Sequence, residues 1–226
     1  MAEHAHHHHH GAQNATGFHR KLKEGTQSLH DEAEAGDFQR RMVSGELSRA
    51  EFAAFLGQMH HVHVTLDPAL RAAAESDRRL ASIFDPSHCR LELIEQDLQD
   101  LDAAPDEDPL PAIADFIRAV NQRAGDNPVS LLGALYVKEG ATNGNKIVAR
   151  RLQNSLELGG DKAMGYLDPH GKDQRRCWSA FKANLNEIDL TDEEQEECVV
   201  VARETFLMVM NASSQLDEQH REAQVS

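Results

Sequence analysis

Apolar side chains recur every three or four residues along most of the chain, which is the spacing of one face of an α-helix. A first stripe covers Gly17 to Ala35, and a short second one covers Phe38 to Val43. Ser48 is followed three residues later by Glu51, a capping-box pattern that opens a long helix with an inward face as far as Leu70. The first third of the chain is therefore predicted to be helical.

Helical spacing continues through the rest of the sequence. Residues 87–101 form one amphipathic stretch, the acidic segment 102–111 is a connector, and apolar positions return at residues 113–120. The most apolar segment, Val129 to Val137, is predicted to be a central helix. Residues 140–145 interrupt it in this interpretation.

Three more helical stretches complete the prediction: Ile147 to Leu158, Gly171 to Leu185 and Thr191 to Leu216. No convincing strand and no internal repeat is present, so the sequence predicts one all-α domain of about eight helices. We expect this domain to span residues 17–218. Residues 1–10, MAEHAHHHHH, are an expression tag, and we expect the rest of residues 1–16 to be disordered and residues 219–226 to form a C-terminal tail.

Composition and charge exclude several classes of protein. The net charge of −15 argues against a duplex DNA binder, which needs a basic face. No apolar run approaches the roughly 18–20 residues of a membrane span. Three cysteines, Cys89, Cys177 and Cys198, contain no CxxC pair and fit free thiols in a reducing cytoplasm. We expect a soluble cytoplasmic protein that binds neither nucleic acid nor membrane.

Two glycines in the most apolar region are candidates for a ligand-facing backbone. Gly140 and Gly144 each cost a helix about 0.5–1 kcal/mol relative to alanine. A turn between two helices or a helix crossing explains them, and so does a ligand that lies against the helix. The spacing alone leaves both explanations open.

Histidines provide the candidate metal ligands. His30 and Glu34 are four residues apart and can meet on one face of the first helix. His60 and His63 share a face of the long helix while His61 points elsewhere, so a metal pair is conceivable there. A buried, hydrogen-bonded His63 with solvated neighbours is the simpler explanation.

Taken together, these segments resemble the heme oxygenase family along residues 17–216. The segment LKEGTQSLHDEAE (residues 22–34) is similar to the family's proximal-helix pattern. The resemblance implies that His30 is the axial iron ligand, that Glu34 hydrogen-bonds it, and that Lys23 contacts a heme propionate. ELSRAEFAAFLGQMHHVHVTLD resembles the next long helix, with His60 and His63 where tyrosines are often found.

The segment LYVKEGATNGN (residues 135–145) is similar to the bacterial form of the family's distal-helix motif. The resemblance places Tyr136 at a propionate-contacting position and Gly140 and Gly144 above the heme. Ala141 replaces the usual serine, and Asn145 replaces a small residue, so we expect Asn145 to bind distal water or to crowd the ligand.

Two residues near the C-terminus fall close to family positions in a looser alignment. Lys182 aligns near the position where the family has a cation that contacts a propionate. Phe206 aligns near the position where the family has an aromatic residue in the pocket.

The resemblance also implies the reaction. Heme would be both cofactor and substrate, sandwiched between the first helix and a bent central helix, and opened to biliverdin with release of CO and ferrous iron. Dioxygen and electrons from a separate redox partner (a ferredoxin, a flavodoxin or a reductase) would be consumed. We expect a monomer or a weak dimer.

Three alternatives remain open at this point. A heme-binding sensor or carrier of the same fold would bind heme without turnover. A non-heme di-iron oxidase would use Glu34, His60, His63 and Glu139, although the repeated Glu-x-x-His spacing is missing. A thiamin-degrading enzyme of similar fold would need a nucleophilic cysteine in its pocket.

Overall fold

Nine α-helices account for most of the residues that the computed structural model describes, 17–160 and 162–225. In chain order they are α1 (Gly17–Ala35), α2 (Asp37–Ser44), α3 (Arg49–Ser76), α4 (Arg78–Ala81), α5 (Leu91–Asp100), α6 (Pro111–Asp126), α7 (Leu132–Ser155), α8 (Gln174–Glu187) and α9 (Asp192–Val225). Short 3-10 turns precede α5, α7 and α8. Within these described ranges there is no strand, which confirms the all-α class.

Most of the predicted helices are present, with four differences. The short helix α4 was not predicted. Residues 87–101 form a 3-10 turn followed by the shorter α5, and α9 continues to Val225, through most of the expected tail. The expected break at residues 140–145 is wrong, because α7 is one continuous α-helix across both glycines. The tag and the rest of residues 1–16 lie outside the described residues, and none of the described helices is long and apolar enough to cross a membrane.

Side-chain caps fix where the two longest helices begin. The Ser48 side chain accepts a hydrogen bond from the Glu51 backbone N–H, and the Glu51 carboxylate accepts one from the Ser48 N–H at 2.9 Å. Thr191 and Glu194 make the same reciprocal pair at the start of α9. Each pair satisfies backbone donors that the first turn of a helix leaves unbonded.

Helix α9 is the support on which the functional helices pack. Both α1 and α7 make their largest contacts with it. A Cβ on Gly133 of α7 would lie 2.0 Å from the Cys198 carbonyl oxygen, and a Cβ on Gly25 of α1 would lie 2.6 Å from a Val199 methyl. These glycines let the helix axes approach more closely than any side chain permits. The first half of α9 therefore holds α1 and α7 side by side.

A buried ion cluster holds α7 against the rest of the fold. The Arg90 guanidinium is 1% exposed and donates to the Glu139 carboxylate at 2.7 Å. The other Glu139 oxygen lies 2.9 Å from His170 Nε2, and Lys138 Nζ donates to Glu139 at 3.1 Å. Burial alone would raise the pKa of Glu139, but Lys138, His170 and Arg90 outweigh it and lower that pKa strongly. The cluster connects the chain before α5, helix α7 and the loop before α8.

Candidate heme site

His30 lies on the surface of α1, at the edge of α9. Its side chain is 50% exposed, and its ring meets the Phe206 ring of α9 edge to face, with centroids 5.9 Å apart. Its Nε2 is 3.7 Å from a Glu34 oxygen, and its Nδ1 is 3.8 Å from an Asp31 oxygen. Both distances are too long for hydrogen bonds, so either nitrogen can take a metal.

One face of α7 carries three glycines, Gly133, Gly140 and Gly144, and the packing against this face differs from one end to the other. Gly133 is packed against α9 as described above. At Gly140 an added Cβ would come only as near as 3.6 Å, to the Trp178 ring, and at Gly144 it would meet nothing within 4 Å. The glycine face is thus closed by α9 at its start and open at Gly144.

A short stretch of α9 connects this open face with His30. Phe206 contacts His30, while Thr205, Met208 and Val209 line a cavity of about 80 Å³ together with Ala141 and Asn145 of α7. Ala141 is exposed and Asn145 is half-buried. The predicted proximal residue His30 and the predicted distal residue Asn145 therefore border the same stretch of α9, whereas Gly140 and Gly144 do not line this cavity.

Positive charge collects at one end of the α1 and α7 pair. The buried His19 ring lies 5.9 Å from the Tyr136 ring and 5.8 Å from the Trp178 ring, centroid to centroid. Lys182 Nζ stands 5.5 Å from the Trp178 ring centre. Burial, assisted by Lys182 and Lys23, lowers the pKa of His19 to about 4. Two lysines and Tyr136, predicted to contact propionates, thus gather around His19.

Sequence reasoning missed His19 and Trp178 as members of this group. His19 precedes Lys23 by one helical turn on the same face of α1, a signal that the sequence does contain. Trp178 carries no comparable signal, because its place beside Gly140 depends on how α8 crosses α7.

The histidine cluster of α3 does not converge on a metal site. His60 Nε2 faces Glu95 at 3.5 Å, His61 Nε2 lies 2.9 Å from the Asp106 carbonyl oxygen, and His63 Nδ1 lies 2.8 Å from Asp67. Residues 17–160 and 162–225 contain no group of three or more His, Cys, Asp or Glu side chains arranged for a metal ion. The di-iron set therefore fails, since Glu139 is held by Arg90 and Glu34 lies beside His30.

The cysteines offer no activated thiol. Burial raises the pKa of the Cys198 thiol to about 12, and burial also raises the pKa of Cys89. A thiamin-degrading mechanism needs a thiolate in a pocket, and these two shifts oppose thiolate formation. Cys177 is half-buried on α8 and does not line the cavity.

Known proteins resemble this chain across almost the whole described fold. The human heme oxygenase 1 is 21% identical over 203 residues, which cover 87% of this chain and 70% of that protein. The heme complex of heme oxygenase-1 from the cyanobacterium Synechocystis superimposes with a TM-score of 0.81 at 22% identity, over 92% of this chain and 96% of that one. The heme oxygenase of Leptospira interrogans gives 0.81 at 22% identity, over 88% and 100%.

The family model for heme oxygenase matches residues 16–215. A match of that extent shows the family, and the chain belongs to the heme oxygenase family. The predicted fold and the predicted enzyme class, a heme oxygenase, are confirmed. The roles of individual residues stay predictions.

Proposed function

We propose that this chain opens heme oxidatively to biliverdin, releasing CO and ferrous iron, with dioxygen and electrons from an external donor. One observation carries the proposal. His30 of α1 contacts Phe206 of α9, and Ala141 and Asn145 of α7, which follow Gly140 and Gly144 in the sequence, line a cavity with Thr205, Met208 and Val209 of the same stretch of α9.

The residues at this place suit heme. A flat apolar ring fits between two helices only where side chains leave room, and a Cβ at Gly144 would stand in open space. A ring bearing two propionates also needs cations at one edge, where Lys23 and Lys182 gather around His19. Burial of the ring would supply most of the affinity, because exposed ion pairs contribute only about 0–1 kcal/mol each.

On the α1 side, His30 would bind the iron and Phe206 would support its ring. Glu34 would orient the imidazole once the side chains adjust, since a carboxylate on the second nitrogen fixes ring orientation. Lys23, Lys182 and Tyr136 would hold the propionates. They would thereby set the rotation of the heme in the space between α1 and α7.

On the α7 side, Gly140 and Gly144 would keep side chains away from the reacting face. Bound heme supplies the iron that activates dioxygen beside an oxidisable ring carbon. Asn145 and Ala141 would border the reacting face: Asn145 offers a hydrogen bond to water, and Ala141 offers none.

The electron donor belongs to the same proposal. We found no nucleotide-binding motif in the sequence, so a separate ferredoxin, flavodoxin or reductase would deliver the electrons. The proposal also includes the expected cytoplasmic location, bacterial type, and monomeric or weakly dimeric state.

Hemin titration of wild type and His30→Ala tests the axial ligand. Wild type should give a histidine-ligated Soret spectrum, and His30→Ala should lose it and recover part of it with added imidazole. His220→Ala, at the far end of α9, is the matched control and should behave as wild type. An unchanged iron–histidine stretch in ferrous His30→Ala would contradict the assignment.

Turnover separates the enzyme from a heme carrier. With ascorbate or a reductase in air, an oxygenase should convert bound heme to biliverdin, detected by absorbance and chromatography. A carrier would instead keep a stable oxygen complex with no biliverdin.

A further inference from the structure

His19 is a buried histidine at the end of the α1 and α7 pair where we place the heme propionates. It is 7% exposed, and its ring meets the Tyr136 and Trp178 rings edge to face, with centroids 5.9 and 5.8 Å apart. Within the described residues its hydrogen bond is made by the backbone N–H, to Asn186 Oδ1 at 3.0 Å, and not by the ring. The imidazole is therefore held by aromatic packing and not by a polar partner of its own.

The charged groups around this ring are positive. Lys23 follows His19 by one turn on the same face of α1, and Lys182 of α8 lies over the Trp178 ring, 5.5 Å from its centre. Tyr136, which α7 contributes, is neutral, because burial raises the pKa of its hydroxyl to about 12. No carboxylate in the described part of the chain acts on the His19 ring to balance the two lysines.

Two separate effects oppose a proton on His19. Burial removes the solvent that would stabilise an imidazolium, and the positive charges of Lys182 and Lys23 repel it, so the pKa of His19 is lowered to about 4. The second effect depends on what the site binds. A heme whose two propionates lie against the lysines brings two negative charges, which cancel the repulsion and attract an imidazolium. The charge of His19 should therefore differ between the heme-free and the heme-bound protein.

We propose that His19 is a third cationic partner of the propionates, and that it becomes one by taking up a proton from solvent when heme binds. This inference rests on the proposed function. A lysine brings a charge at neutral pH with or without a ligand, whereas an imidazole can gain its charge on binding. The site would thus increase its positive charge only when the propionates are in place. The heme-free protein would avoid a third buried cation that has no counter-ion.

The direction of the pH dependence follows from this proton uptake. Binding that takes up a proton becomes stronger as the pH falls, from the heme-bound pKa of His19 down to its heme-free pKa of about 4. If the propionates return the ring to the ordinary histidine pKa of about 6.5, the heme affinity at pH 6 is about fourfold higher than at pH 8. A protein without the His19 imidazole lacks this gain.

Nitrogen NMR with zinc protoporphyrin tests the inference without oxygen chemistry, because zinc has no redox activity. In the heme-free protein the His19 ring should be neutral between pH 8 and pH 5. With zinc protoporphyrin bound, the midpoint of its protonation should rise by about two pH units. Zinc protoporphyrin dimethyl ester, whose esterified propionates carry no charge, is the matched ligand and should leave the midpoint where it is. An unchanged midpoint with the charged porphyrin bound would overturn the inference.

Calorimetry counts the proton directly. Zinc protoporphyrin binding at pH 6, measured in two buffers of different ionisation enthalpy, should take up more protons in wild type than in His19→Gln. Between pH 8 and pH 6 the hemin affinity of wild type should gain about fourfold on that of His19→Gln. His220→Gln, at the far end of α9, is the control for a histidine outside the site and should match wild type. Protons released when His30 binds the metal are common to all these proteins, so the difference between them isolates His19.

The outcomes separate this inference from the proposed function. Equal proton counts in wild type and His19→Gln, with zinc protoporphyrin bound to both, overturn the inference and leave the proposed function standing. Failure of wild type to bind either hemin or zinc protoporphyrin overturns both. The comparison of the charged porphyrin with its dimethyl ester uses wild type alone, so it decides the question even if His19→Gln does not fold.

Discussion

At the scale of single residues, the interior contains more charge than the sequence indicates. Arg90 is almost fully buried, yet it lies just before an ordinary amphipathic helix. No apolar spacing in the surrounding sequence predicts that this position is buried. Its partner Glu139 is 49 positions away, and such a pairing depends on the tertiary fold. The prediction for His30, by contrast, uses a local pattern, its spacing from Lys23 and Glu34, and needs no knowledge of the tertiary fold.

The Arg90–Glu139 pair leads to a prediction about stability. Glu139→Ala would leave Arg90 and Lys138 buried without their carboxylate, which should cost about 3–5 kcal/mol of unfolding free energy. Urea denaturation at pH 7 measures the loss. The matched control is Glu24→Ala, which removes an exposed pair with Arg20 and should leave stability close to that of wild type. Equal effects of the two changes would contradict the role of the cluster.

At the scale of helices, apolar spacing predicts most of the fold, and α7 shows one place where it fails. Helix existence follows from apolar spacing, which the sequence displays directly. The two glycines and two asparagines of residues 140–145 have low helix propensity, so the local sequence predicts a break there. Packing of α7 on α9 and the anchoring of Glu139 outweigh that propensity, and neither is visible in a local window.

The glycines of α7 yield a paired prediction. Gly144→Ala should stabilise the heme-free protein by up to about 1 kcal/mol, since its Cβ enters open space on a helix, while weakening hemin binding or turnover. Gly133→Ala should destabilise it, because its Cβ would overlap the Cys198 carbonyl. Thermal melting and hemin titration measure both. If Gly144→Ala leaves heme binding and turnover untouched, this face of α7 is not the distal wall.

At the scale of the whole molecule, heme would connect two helices that otherwise meet mainly through α9. A ligand that binds only the folded state adds about 2.7 kcal/mol when its concentration is 100 times its dissociation constant. Hemin should therefore raise the melting temperature of wild type, and it should slow amide exchange in α1 and α7 more than in α5 and α6. Uniform protection across all helices would argue against a site between α1 and α7.

The buried histidines determine how the heme-free molecule responds to acid. Burial lowers the pKa of His19 to about 4, with help from Lys182 and Lys23, and burial also lowers the pKa of His88 to about 4. Both rings are neutral in the fold, and His88 Nδ1 accepts the Asp85 backbone N–H at 3.0 Å. Asp97 has the opposite effect on stability in acid, because burial raises its pKa to about 6 and the folded protein therefore binds this proton more readily than the unfolded chain.

The sign of the pH dependence follows from proton binding. Between pH 6.5 and 4 the unfolded chain protonates His19 and His88, which the fold keeps neutral, and burial also lowers the pKa of a third histidine, His63. The fold in turn takes up one proton at Asp97 that the unfolded chain does not. The free energy of unfolding should therefore fall as the pH falls through this window. Urea denaturation at several pH values measures it, and His88→Gln, whose side-chain oxygen can still accept the Asp85 N–H, should flatten the decline. Equal slopes in His88→Gln and wild type would mean that His88 is protonated in the fold.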